Sequence, residues 1–310
     1  MKISIIIPFL NEQENIVSLV DSLSRYFKNE IRFEAEIIFV NDGSTDNSKN
    51  ILIGLEHGNY TSKVISFSKN FGSHAALRAG ILNASGDYIT FMYADLQDPI
   101  QLVSLLYDKI KLDDNEIVWA TRNTIKNGFF ESYFSKIYSS LMKKYVTSTY
   151  PEKGFDIVMF SKKAGEIINK NIESNSSIFL QILTLGFSQD FIFYDKQPRE
   201  KGVSKWTLSK KIKLFIDSFI AFSYAPIRFV TIIGLIIFIL GIFFATYLLW
   251  RKMMYNDLVS GWAMMMSIIA IGFGITNISL GILAEYLWRT LDASRKRPVF
   301  IVDDIIELKK

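Results

Sequence analysis

The 310-residue chain contains no cysteine, which excludes any disulfide framework and fits a reducing compartment. It also lacks a strong charge of either sign. The 35 Lys and Arg against 31 Asp and Glu leave a formal charge of +4, too small and too dispersed to point to nucleic acid as a partner. No internal repeat or low-complexity tract is visible. Near the N-terminus, Lys2 and the apolar run Ile3 to Leu10 imitate a signal peptide, but the run is short, contains Pro8 and is followed by no small-residue cleavage site, so none is expected.

Hydrophobicity is unevenly spread. Up to about Ala225, charges recur every few residues. Beyond it, Phe229 to Trp250 and Leu258 to Leu283 carry no charged side chain, and each is long enough to cross the roughly 30 Å hydrocarbon layer as a helix. Core helices of soluble proteins seldom reach that length without a polar face. Two spans with a short link form a hairpin that returns the chain to its starting side. Lys205, Lys210, Lys211, Lys213 and Arg228 precede it, and Arg289, Arg295, Lys296 and Arg297 follow it. These outnumber Arg251 and Lys252 in the link, so both flanks are expected in the cytoplasm, against anionic headgroups.

The first part alternates strand and helix. Ile3 to Ile7, Ala35 to Val40, Val64 to Phe67, Tyr88 to Met92 and Ile117 to Ala120 read as strands. Helices are expected over Glu12 to Phe27, Thr45 to Leu55 and His74 to Asn83, with another capped by Asp98 and starting at Pro99. Such βαβα order implies an α/β fold with a Rossmann-like, parallel-rich sheet covered by helices on both faces, which binds ligands beyond the carboxyl ends of its strands. Further on come a helix over Phe129 to Tyr145, strands at Asp156 to Phe160 and near Phe191 to Tyr194, and an apolar-rich helix over Ile212 to Phe222 suited to the membrane interface.

Polar clusters follow the strands as that fold requires. After the first come Asn11 and Glu12, which equally read as a helix cap and an acid at a helix start. After the second come Asn41, Asp42, Gly43, Ser44, Thr45 and Asp46, where a strand-end carboxylate beside a sharp turn can accept hydrogen bonds from a base or ribose, or simply form a capped turn. After the fourth come Tyr93, Ala94, Asp95, Leu96, Gln97, Asp98 and Pro99. Asp95 and Gln97 offer the oxygen ligands that Mg²⁺ or Mn²⁺ prefers, and such an ion can neutralise a departing diphosphate.

Pro8 to Glu12, Asn41 to Asp46, Lys69 to Gly72 with Ala75, Ala76 and Gly80, Gly86 with Asp87, and Ala94 to Pro99 together resemble the family-2 glycosyltransferases of GT-A fold. Arg122, Gly154 to Asp156, Arg199, Gly202, Ser204, Lys205, Trp206, Glu285, Tyr286, Arg289, Arg297 and Pro298 extend the resemblance over nearly the whole chain. They point to its polyprenyl-phosphate branch, which includes dolichol-phosphate mannose synthases and bactoprenol glucosyltransferases. Two positions depart from the family pattern: Tyr93 replaces the first Asp of Asp-Ala-Asp, and Lys69 stands where many relatives carry Arg.

The resemblance implies a cytoplasmic catalytic domain over 1–205, an interfacial region over 206–225, two transmembrane helices within 226–288 and a cytoplasmic tail over 289–310. It implies a nucleotide sugar held by Pro8, Asn11, Glu12, Asp42, Ser44, Lys69, Ala76, Asp95 and Gln97, with a metal on Asp95 and Gln97. The lipid phosphate would meet Arg122, Ser135, Arg199, Ser204 and Lys205, of which Arg122, Arg199 and Lys205 also serve the reaction, and Asp156 would orient the acceptor or act as base. The lead donor is UDP-glucose, and transfer to undecaprenyl or another polyprenyl phosphate would invert the anomeric carbon. A homo-oligomer, specifically a tetramer, is also implied. Rival readings are a catalytically silent membrane scaffold, supported by Tyr93, and a processive polysaccharide synthase, which would carry a Gln-x-x-Arg-Trp motif absent from this chain.

Overall fold

The structure, a computed structural model, describes residues 1–123, 129–151, 154–155, 157–170, 177–196, 225–255, 261–295 and 297–308. Eight strands form one sheet in the order β7-β5-β6-β4-β1-β2-β3-β8. They are β1 (Lys2–Phe9), β2 (Glu34–Asn41), β3 (Thr61–Phe67), β4 (Tyr88–Phe91), β5 (Ile117–Arg122), β6 (Ile157–Ser161), β7 (Gln189–Tyr194) and β8 (Val302–Leu308). β6 runs antiparallel to β4 and β5, and β8 antiparallel to β3, while the other six strands are mutually parallel.

The Ile- and Val-rich strands lack polar alternation because helices cover both faces. Ile3, Ile5 and Ile7 point to the face packed by α1 (Ile16–Phe27) and α4 (Leu102–Leu112). Ile6 points the other way, against α3 (Ser73–Leu82), where a Cβ on Gly80 would lie 2.2 Å from Ile6 Cγ2. The close approach of α3 to the sheet therefore depends on that missing methyl group. Among the described residues, the remaining helices of this unit are α2 (Ser48–Gly54), α5 (Phe129–Tyr145), α6 (Lys162–Lys170) and α7 (Ile178–Leu183).

From β1 the chain builds β2 and β3 to one side and then places β4 on the other. The crevice between β1 and β4 is thus the switch point, where sheets of this type hold their ligands. Pairing of β1 with β4 ends at Ile6 and Phe91, and the Met92 N–H donates to Ile6 O at 3.0 Å. Pro8 is two residues on and faces the same side, where β4 has already diverged, so its missing N–H breaks no ladder.

The opposite end of the sheet is held by Glu36, whose side chain is 8% exposed. Ser4 and Ser85 hydroxyls and the Ser85 N–H donate to it, and Lys63 lies 3.4 Å away. Burial pushes this carboxyl up, but those donors and the Lys63 ammonium outweigh it and hold it at about 2. A depressed folded-state pKa contributes stability at pH above about 4.5 that is lost as pH falls toward 2, here up to about 3 kcal/mol. The melting temperature is expected to drop across that window, and Glu36→Gln is expected to flatten the drop while lowering the neutral-pH value.

The chain forms two compact units, residues 219–297 making the second. This unit holds two long helices packed on each other, α8 (Ala225–Tyr255) and α9 (Trp262–Arg295). Arg228–Leu248 and Ile271–Asp292 within them are long and apolar enough to cross a membrane, and neither segment is buried by protein. α9 continues well past Leu283, through Glu285 and Arg289, so the second helix outlasts the apolar run that announced it.

The structure differs from the sequence reading at further points, and α2 begins at Ser48 rather than Thr45. α1 begins at Ile16 rather than Glu12, because residues 12–15 form a separate turn closed by Asn15 N–H on Glu12 O. α4 begins at Leu102, since Pro99 and Ile100 belong to a tighter turn in which their carbonyls accept from Leu102 and Val103. The expected C-terminal tail contains β8, which joins the first unit at the edge of β3. The interfacial helix expected over Ile212 to Phe222 lies outside the described residues.

Candidate active site

Four strand ends bring the candidate residues together. Beyond β1, Asn11 takes a left-handed conformation (φ 51°). From there its Oδ1 accepts the Thr45 N–H at 2.8 Å, and its own N–H donates to Ser44 Oγ at 3.0 Å. The Glu12 N–H donates to Ser48 Oγ at 2.9 Å. Asn11 therefore ties the β1 turn to the β2 turn; the residue that precedes α1 is Asn15, whose Nδ2 donates to the Glu12 carboxylate at 2.7 Å.

Beyond β2, Asp42 is only 4% exposed. One carboxylate oxygen accepts the Phe71 N–H at 2.7 Å, and both accept the Gly72 N–H at 3.1 and 3.0 Å. Its immediate work is to hold the Lys69–Gly72 turn. A carboxylate has about four lone-pair sites, so capacity remains for a ligand donor. Burial pushes its pKa up, and the two backbone N–H groups pull against that shift. Gly43 follows at φ 71°, with the Lys69 and Asn70 backbone packed against its α-carbon. Ser44 completes the turn, its N–H bound to Asn41 Oδ1 at 2.9 Å. Lys69 is exposed, and its ammonium lies 5.2 Å from the Phe71 ring centre.

Beyond β4, Tyr93, Asp95 and Gln97 are half-buried at the lip of the crevice. Leu96 between them is left-handed (φ 56°), an uncommon conformation for leucine that costs energy wherever it occurs. The Gln97 N–H donates to Asp95 Oδ1 at 3.3 Å. Among the described residues no three acidic or imidazole side chains gather into a metal cage. A carboxylate and an amide oxygen on one turn nevertheless suit Mg²⁺ or Mn²⁺, which bind through few protein ligands and fill the rest of the shell with phosphate oxygens and water.

Beyond β5, Arg122 is half-buried and in register with Tyr194 of β7. Two expected residues fall away from this arrangement. Ala76 has no exposed surface and lies within the buried part of α3. Ser135 sits on α5, its carbonyl accepting from Ser139, and takes no part in the strand-end network among the described residues. Asp156, Arg199, Ser204 and Lys205 lie outside the described residues.

Sequence reasoning missed two features. One is the pairing of Asp42 with backbone N–H groups some 30 residues on, which leaves no trace in a motif. The other is Asp98, read as a helix cap. It is 3% exposed and instead accepts the Tyr194 hydroxyl at 2.6 Å and faces Lys196 Nζ at 3.3 Å.

Residues 4–168 match the model of glycosyl transferase family 2. An uncharacterized glycosyltransferase of Synechocystis is 31% identical over 98% of this chain and 96% of its own length. The bactoprenol glucosyl transferase of Shigella phage SfV and a prophage bactoprenol glucosyl transferase homolog of Escherichia coli are each 29% identical over 97% of this chain and 98% of their own. The strand-end turns, the α/β sheet around them and these relationships agree: the chain belongs to glycosyl transferase family 2 and is a glycosyltransferase of GT-A fold.

Proposed function

We propose that the protein transfers a hexose from a nucleoside-diphosphate sugar, with UDP-glucose as the lead, to the phosphate of a polyprenyl lipid at the cytoplasmic face of a membrane, inverting the anomeric carbon. The observation that carries this reading is one of connectivity. The chain bearing the strand-end site also bears two exposed apolar helices, which lie in sequence between β7 and β8 of one sheet. Such a chain suits an acceptor that is itself embedded in lipid. The names of the bactoprenol relatives agree with this acceptor class.

In this reading the turns after β1 and β2 receive the nucleoside, with Asp42 accepting from the base or ribose. Asp95 and Gln97 face the diphosphate, and a divalent ion held there supplies neutralisation of the leaving group's growing charge. Arg122, Arg199 and Lys205 offset repulsion between the two anionic reactants, a task for which guanidinium groups offer bidentate contact.

No strong base is required. A phosphate monoester has a second pKa of about 6 and is mostly a dianion at neutrality. The chain has two histidines, and both are held below the ordinary imidazole value. Burial pushes His57 down, and burial with the nearby Arg78 guanidinium brings His74 to about 4. The rate is therefore expected to rise with pH through a midpoint of about 6, set by the acceptor, and then level off. The midpoint should be unchanged in His57→Gln; a displaced midpoint would assign the titration to the protein.

The direct test is to incubate membranes containing the protein with a panel of radiolabelled nucleotide sugars and undecaprenyl phosphate, then extract lipid. A labelled glycolipid from one donor, with its anomer assigned by NMR, supports the reading and fixes the sugar. Absence of product with every donor favours the silent scaffold that Tyr93 would suit.

A further inference from the structure

Asp98 is buried one residue beyond the Asp95–Gln97 turn, and a buried carboxylate is held only where specific partners compensate its lost hydration. Its partners are Tyr194, the last residue of β7, and Lys196, itself largely buried. Tyr194 is also the residue to which the end of β5 is fastened: it pairs in register with Arg122, and its carbonyl accepts the Asn123 N–H at 2.9 Å. From Lys196 the chain runs on in sequence to Arg199 and Lys205. One carboxylate thus joins three stretches of chain: the turn facing the diphosphate, the strand end bearing Arg122, and the start of the segment that carries two further cations. Leu96, held left-handed between Asp95 and Gln97, shows that this turn is kept in an unfavourable conformation, which persists only when its surroundings over-determine it.

We propose that Asp98 is a positioning residue, one that fixes the Asp95–Gln97 turn in register with the Arg122 strand end and the Lys196 segment so that donor and acceptor groups meet in reacting geometry. The idea rests on the glycosyl-transfer reading above, but its structural half is measurable without transfer. A buried ion pair that only fastens the sheet edge would show the same contacts, so the test must separate the two.

Asp98→Asn leaves Lys196 buried without its carboxylate and can prevent folding, so the informative variants are Tyr194→Phe, which removes one hydroxyl, and Lys196→Met. Thr90→Val serves as the comparison. It removes another buried hydroxyl, bound to the Val158 carbonyl at 2.9 Å, from the middle of the sheet. Amide hydrogen exchange is read over residues 95–101 of the full-length protein in lipid nanodiscs, alongside kcat, donor KM and melting temperature. In Tyr194→Phe and Lys196→Met, exchange over 95–101 is expected to quicken about tenfold. kcat is expected to fall about tenfold with donor KM within about twofold, as for groups whose reactants are misplaced rather than released. Lys196→Arg is expected to restore most of kcat, and Thr90→Val to alter melting temperature alone. Unchanged exchange over 95–101 overturns the proposal. So does faster exchange with unchanged kcat, which would make Asp98 a fastening of the sheet and nothing more. A wild-type protein inactive with every donor overturns the transfer reading instead, and the positioning of catalytic groups falls with it, whatever the exchange shows.

Discussion

Asp95→Asn is expected to lower glycosyl transfer about a thousandfold while leaving the melting temperature near the wild-type value. The substitution keeps the size of the side chain and one oxygen but removes the charge. That charge is the one accessible carboxylate of this turn, since Asp98 is buried and Tyr93 stands where the family pattern, by resemblance, would place a second acid. Loss of a single preorganised group facing a developing negative charge typically costs 10²- to 10³-fold, and the upper end of that range is expected where one carboxylate does what two usually do. The same reasoning gives the reverse experiment. Tyr93→Asp adds a second hard ligand and is expected to reduce several-fold the Mn²⁺ concentration needed for half-maximal nucleotide binding, measured calorimetrically without acceptor. Full transfer by Asp95→Asn would remove the assignment of this turn to the diphosphate.

Gly43→Ala is the second large effect. An added Cβ would lie 2.4 Å from the carbonyl carbon of Lys69 and 2.6 Å from the nitrogen of Asn70, and both are backbone atoms that cannot rotate away. The glycine also has φ 71°, which a side chain strains whatever the space. The Lys69–Gly72 turn must then move, breaking the N–H contacts on Asp42. About 2–4 kcal/mol of stability is expected to be lost from overlap and strain together. Nucleotide affinity should fall at least tenfold, because Asp42 and the turn it holds are displaced as one. Gly54→Ala is the control: a Cβ there meets nothing within 4 Å, and its effect should be close to nil or mildly stabilising. Comparable losses from the two variants would mean that the turn tolerates movement and that Asp42 does not depend on it.

The sequence made the strands of the central sheet readable because their apolar runs are bounded by polar clusters, and each cluster fell beyond a strand end as expected. Ile3 to Ile7 and Ala35 to Val40 lie inside the observed β1 and β2. What pattern could not show was which side chains answer one another across the fold. Asp42 and Asp98 were both recognised as notable, but their partners lie 29 and 96 residues away, a separation no local motif encodes. Strand direction was equally hidden: Asp156 to Phe160 reads as a strand, yet nothing in that run says that β6 lies antiparallel between β4 and β5. β8 escaped notice because two adjacent residues interrupt its alternation, in which Val302, Ile306 and Leu308 lie on the more covered face and Asp303 and Glu307 on the exposed one. Asp304 turns inward to Lys49, which it meets at 2.6 Å, while Ile305 is 49% exposed. With Asp304 and Ile305 exchanged relative to that pattern, the run looks like a charged tail until β3 is placed beside it.

That last strand also bears on how the molecule is made. β8 follows both long helices in the chain, so during synthesis the outer edge of β3 stays bare while some 235 residues, the helical pair among them, leave the ribosome. A bare edge is a template for unwanted pairing with other nascent chains. The sheet is sealed only after the helices have emerged, which makes closure of the enzyme a late event in its synthesis.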